Sequence, residues 1–345
     1  MDRETGEKGH ATNDMFFESV PLPSLAPGEL TAARLDPVLR DWVSSAPIRA
    51  LADASGWNWR PCPDTGDLLR HLAELSDDWD FRSREGGVER DLIGAQAAEV
   101  NGRLIAEELI LPAAKALGLV SATPVPDARF SALVVLSGLV RACVNRTKYA
   151  ADLVKNGVHA DSVTVLGGHR KLSDGERAQA AQLGFGEQFD EADMIVATTR
   201  QAFGLDEPQQ VKESGERPSV WDDGLWSAWA NYTWPGVQVL VAPSGAPDRR
   251  VNTVDQLRYW ASENGIGRDD RVLLLTTQIY VPYQQFGGLQ VLGIERGCGV
   301  YCCGVDAASS YLPAASFSGR SYLQEIRSAL RAAAQLLAAA RKAND

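Results

Sequence analysis

Four apolar runs, each closed by small, polar or cationic residues, organise the second half of the chain. FSALVVLSG ends at Ser137 and Gly138, and SVTVLGGHR ends at Gly167, Gly168, His169 and Arg170. GVQVLVAPSG ends at Ser244 and Gly245, and DRVLLLTTQ at Thr276, Thr277 and Gln278. Unbroken apolar runs of this length suit strands covered on both faces, and in open α/β sheets ligands bind beyond the carboxyl ends of the strands. The pattern predicts strands at 131–136, 162–166, 237–242 and 271–276, a fifth at 299–303, and helices between them. Alternation of this kind implies an α/β fold, a parallel sheet of five strands with helices on both faces.

Ahead of the sheet the period changes from two to between three and four. LTAARLDPVLRDWV, TGDLLRHLAELSDDW and the long stretch VERDLIGAQAAEVNGRLIAEELILPAAKALGL space their apolar residues as helices do. The expected organisation is a flexible segment over 1–25, an all-α region over 26–125 and the sheet domain over 126–345. Residues 208–235 interrupt the βα rhythm with Trp221, Trp226, Trp229 and Trp234. This Trp-rich insertion is expected either as a lid over the carboxyl ends of the strands or as packing against the N-terminal helices.

Composition narrows the function classes. With 345 residues and 45% hydrophobic content the chain can bury a sizeable core. A net charge of −11 without a Lys/Arg stripe argues against a nucleic-acid partner. No apolar run reaches membrane-spanning length, and the polar N-terminus lacks the apolar stretch of a secretory signal, so a soluble cytoplasmic protein is expected. Five cysteines, with Cys302 and Cys303 adjacent in a strand, read as reduced thiols. Neighbours in a strand point to opposite faces, and Cys298 and Cys302 have no second Cys or His pair to complete a zinc set, so no metal is expected.

The candidate chemistry lies at the strand ends. Gly167 and Gly168 would let backbone N–H groups approach an anion, with His169 and Arg170 beside them. His169 reads as a proton-transfer residue or an anion contact. Glu191 opens a helix with Asp190 and Asp193, an arrangement that either offsets the helix dipole or points a catalytic carboxylate into the crevice, to move a proton or to bind a ribose hydroxyl, an amine or a cation. Arg249 and Arg250 precede a helix whose first polar residues, Asn252 and Thr253, would cap it or touch the ligand. Ser137, Gly138, Ser244, Thr276, Thr277 and Gln278 add hydroxyl, amide and backbone contacts, and Tyr280 would stack on a planar ring. The glycine fingerprints of dinucleotide and nucleoside-triphosphate sites and the nucleophile elbow of hydrolases are absent.

In order, VVLSG, VLGGHR, DEADM, APSG followed by RRVNT, and LLLTTQIYVPYQ resemble the segments of the bacterial YdcF/SanA/ElyC-like family, over about residues 130–305. The resemblance implies a Rossmann-like sheet with a polar crevice and an anionic or nucleoside-like ligand, S-adenosylmethionine among the candidates. The chain departs from the family by lacking a membrane helix, by carrying Tyr280 where a His is common, and by having Ala242 and Pro243 where an acid is expected. These features imply a divergent, soluble member. The expected function is an enzyme, a transferase or hydrolase acting on a small anionic substrate, or else a binding or regulatory module without turnover.

Overall fold

The computed structural model describes residues 16–24, 26–60, 62–87, 89–214, 227–246, 249–313 and 316–343. Helices α1 (Ala32–Val43), α2 (Ala46–Ala54), α3 (Thr65–Leu75) and the single-turn α4 (Phe81–Arg84) come first. A hairpin of β1 (Ala98–Val100) and β2 (Arg103–Ile105) then leads into α5 (Glu107–Ala116). The sheet region runs through β3 (Phe130–Leu136), α6 (Val140–Lys155), β4 (Ala160–Gly167), α7 (Asp174–Gln182) and α8 (Glu191–Phe203). It continues with β5 (Gln210–Ser214), β6 (Trp229–Trp234), β7 (Val237–Val241) and α9 (Thr253–Glu263). The chain closes with β8 (Arg271–Thr277), α10 (Val281–Gly288), β9 (Gly299–Val305) and α11 (Gly319–Lys342).

The fold is α/β, with a seven-stranded sheet in the order β5-β6-β7-β4-β3-β8-β9. The five expected strands form its parallel part, and β6 and β5 extend it antiparallel beyond β7. The Trp-rich stretch therefore supplies sheet: Trp229 and Trp234 bound β6, while Trp221 and Trp226 lie outside the described residues. Of the segment 1–25 expected to be flexible, residues 1–15 and 25 also lie outside them; segment 16–24 has no regular secondary structure and is tied to α5 by the Val20 N–H to Ala116 C=O bond of 2.8 Å.

Alternation along the strands gives the sheet two apolar faces. Leu133, Val135, Val165, Val239, Leu273 and Leu275 meet α6 and α8 on one side. Ala132, Val134, Leu136, Leu166, Leu274 and Val300 face the other, whose core includes α9, α10, α11 and the N-terminal helices. Trp42 of α1 meets Phe286 of α10 edge-on, with ring centroids 5.2 Å apart. The N-terminal helices thus share a core with the sheet.

Candidate functional site

Counted by appearance in the chain, the parallel strands stand third, second, first, fourth, fifth across the sheet, so the winding direction reverses between β3 and β8. Such a reversal splays the chain turns apart and opens the crevice in which ligands of doubly wound folds sit. Ser137 and Gly138 follow β3, Thr276 and Thr277 end β8, Gly167 ends β4, and Gly168 to Arg170 follow it. These three turns share one edge of the sheet.

A chain of buried polar groups joins them. Ser137 Oγ donates to Glu191 Oε1 at 2.5 Å, and Arg170 Nε donates to Glu191 Oε2 at 2.8 Å. The Arg170 guanidinium also grips Glu176 with both terminal nitrogens, at 2.9 and 2.8 Å. Burial works to lower the Arg170 pKa, but Glu176 and Glu191 raise it above the ordinary guanidinium value. His169, 5% exposed, has Nδ1 2.8 Å from Asp190 Oδ2. Asp190 is also the N-cap of α8, its Oδ1 accepting from Asp193 N–H at 2.9 Å. A carboxylate on Nδ1 fixes ring orientation and favours a proton on that nitrogen, leaving Nε2 to act as a base. Burial, followed by the Glu191 charge, pushes the neighbouring Cys143 thiol up to about 12, which makes it a poor nucleophile.

At the reversal itself sits Arg146 of α6, 4% exposed. Its Nη1 donates to the carbonyls of Leu136 and Ser137 at 2.7 and 2.6 Å, and Nε and Nη2 donate to Thr277 Oγ1 at 3.1 and 3.0 Å. Among the described residues no carboxylate forms a salt bridge with it. Thr276 Oγ1, on the opposite face of β8, is buried and has no hydrogen-bond partner among them. A cavity of about 120 Å3 opens beside Thr277, between the start of α6 and the ends of β8 and β9. His169, Arg170 and Glu191 are themselves buried and do not line this cavity.

The chain is 27% identical over 337 residues to the uncharacterized protein Rv3785 of Mycobacterium tuberculosis H37Rv, with 91% of this chain and 92% of the relative covered. Uncharacterized protein Mb3814 of Mycobacterium bovis matches at the same identity and coverage. The family model described as the Rv3785 N-terminal domain matches residues 26–118. No solved structure matches the chain.

The remaining expected residues divide by what they touch. A Cβ on Gly168 would fall 2.1 Å from Val251 Cγ1, and one on Gly167 2.9 Å from Ser137 Oγ, so both glycines make room for the protein's own side chains. Gly138 lies against Arg146, whose Nη1 would stand 3.3 Å from a Cβ there. Asn252 and Asp255 form a reciprocal cap at the start of α9, where Thr253 is the first helical residue. Arg249 pairs with Asp255 and Arg250 with Glu89 at 2.7 Å. Ser244 Oγ accepts from Ala246 N–H, closing its own turn. Gln278 ties Gly118 and Thr123 to the end of β8. Tyr280 has the guanidinium carbons of Arg90 and Arg146 each 5.9 Å from its ring centroid.

Sequence reasoning missed Arg146, Glu176 and Glu89. For Arg146 a signal existed: it shares one helical face with Val140, Cys143 and Thr147, so a cation stands where an apolar residue is the rule. Glu176 was marked only by Ser173 three residues earlier, the spacing of a capping box, which α7 does form.

Proposed function

We propose that the protein is an enzyme of small-molecule metabolism that binds an anionic, phosphorylated or nucleoside-like ligand at the carboxyl ends of β3, β4 and β8. The observation that carries this reading is Arg146. A buried guanidinium without a carboxylate costs free energy that a bound anion would offset. Its place at the strand-order reversal is where such folds take ligands. In this reading Arg146 and Arg170 hold charge, Glu191 orients Arg170 and Ser137, and His169 moves a proton while Asp190 fixes its ring. S-adenosylmethionine, suggested by the YdcF/SanA/ElyC-like resemblance, is one ligand to try.

A second reading, a binding or regulatory module without turnover, is favoured by Glu191, both of whose oxygens are already engaged. Thermal denaturation with pyrophosphate, nucleoside mono- and diphosphates and S-adenosylmethionine tests the common premise. At least one of these should raise the melting temperature of the wild type and leave Arg146→Met unmoved; if none does, the anion site is lost from both readings. His169→Gln then separates the two, since the enzyme reading requires binding to survive while conversion of the bound ligand, followed by mass spectrometry, stops.

A further inference from the structure

A cavity of about 1200 Å3 lies away from the carboxyl edge, against the outer side of β9. Its walls are segment 16–24, α5, the connection after α5, and Leu273, Tyr301, Cys302 and Cys303 of the two outermost parallel strands. Phe16 and Leu111, 84% and 49% exposed, stand in its wall where it meets solvent.

Its polar features follow from the sheet register. Gly299 N–H donates to Asp270 C=O, so residues 299, 301, 303 and 305 bond towards β8, and 300, 302 and 304 face outward. The outward Val300 C=O is taken by Gln285 Nε2 at 3.1 Å, and the same nitrogen holds Pro23 C=O at 2.8 Å. Gly304 is covered by Gln278, whose Cα would lie 2.5 Å from a Cβ on that glycine. Between these two clamps the N–H and C=O of Cys302 face the cavity, without a hydrogen-bond partner among the described residues.

The clamps decide what can enter. An added strand, from a partner or from a second copy of this chain, would have to run past both, and only one outward residue lies between them. Residues 1–15 lead to Phe16 at the wall, but they carry Asp2, Arg3, Glu4, Glu7, Lys8 and Asp14, a composition that gains nothing from apolar walls. Small-molecule pockets run to about 300–1,000 Å3, mostly apolar with a few placed polar groups, often backbone amides. We propose that this cavity binds a small molecule of the fatty-acyl class, its chain against α5 and segment 16–24 and its carbonyl or carboxylate on the Cys302 N–H.

Native mass spectrometry and thermal denaturation of the full chain with octanoate, laurate, palmitate and stearate test the proposal. At least one should bind with one-to-one stoichiometry and raise the melting temperature. Val20→Trp, which fills the cavity from segment 16–24, should weaken that binding about tenfold or more. Ala122→Trp, which fills it from the opposite connection, should do the same and serves if the first variant does not fold. Arg146→Met should leave fatty-acid binding unchanged, which separates this site from the carboxyl edge. The proposal is overturned if no fatty acid binds, if binding survives both filling variants, or if light scattering finds a wild-type dimer that Val20→Trp splits.

Discussion

Thr276 and Thr277 end the same strand, yet their hydroxyls fare differently. Thr277 Oγ1 accepts two N–H groups from Arg146, whereas Thr276 Oγ1 is buried without a partner among the described residues. A buried unmatched hydroxyl forfeits its hydration and regains nothing, so Thr276→Val should stabilise the ligand-free protein by about 1 kcal/mol. Urea denaturation measures this; a midpoint that falls would mean that the hydroxyl is satisfied in solution. At this scale the sequence identified residue types well and partners poorly. Strand-end position marked Ser137, His169 and Arg170, because a side chain just past a buried strand has little choice of edge, and Glu191 was marked by opening a helix. The glycines were misleading, since Gly-Gly signals close approach without saying of what, and at Gly168 the approaching group is Val251. Arg146 was easily passed over because it lies mid-helix, where its one sequence signal is a cation on the face that Val140, Cys143 and Thr147 share.

At the scale of elements, caps and turns were written plainly. Asn252 accepts from Asp255 N–H at 3.0 Å and Asp255 returns the bond at 3.2 Å, closing the first turn of α9. Asn252→Ala should cost about 1 kcal/mol through loss of this cap, measured by chemical denaturation. It should also loosen Arg249, which is held by the same Asp255 carboxylate. An unchanged stability would show that ordered water replaces the Asn252 side chain. The long helix expected over 88–119 is interrupted by the β1–β2 hairpin, and a local signal for it was present. Asn101 and Gly102 have φ of 52° and 72°, the left-handed pair of a tight two-residue hairpin turn, for which Asn-Gly is the favoured sequence. Apolar spacing on either side concealed it, because three-residue strands offer too little alternation to compete with a helical period. Strand β5 was illegible for a related reason: all of its residues are exposed, so no apolar face announces it.

Across the whole molecule, ties between the N-terminal region and the sheet region are both apolar and ionic. Leu35, Trp42 and Leu72 share one core with Val134, Leu274 and Leu330. Arg341 of α11 holds Asp64 at the start of α3, and Arg250 holds Glu89. The hydrogen bond from Arg341, with help from backbone N–H groups, holds the Asp64 carboxyl at about 2. Burial acts to raise Glu89, Glu176 and Asp255, but their arginine partners outweigh it and leave all three below the usual carboxyl range. Each of these groups binds protons more readily unfolded than folded. Their contribution is therefore fully present above the unfolded carboxyl pKa, about 4, and is lost as pH falls through the depressed folded values. The melting temperature should accordingly be nearly flat near neutrality and drop as acid is added below about pH 4. Because Glu89 and Asp64 bridge the regions while the apolar core joins them, acid should unfold both together. Tryptophan fluorescence, with Trp42, Trp57, Trp59 and Trp79 in the N-terminal region, and far-ultraviolet dichroism should then trace one coincident transition. Two separated transitions would mean that the shared core does not couple the helices to the sheet, and that residues 26–118 fold as a unit of their own.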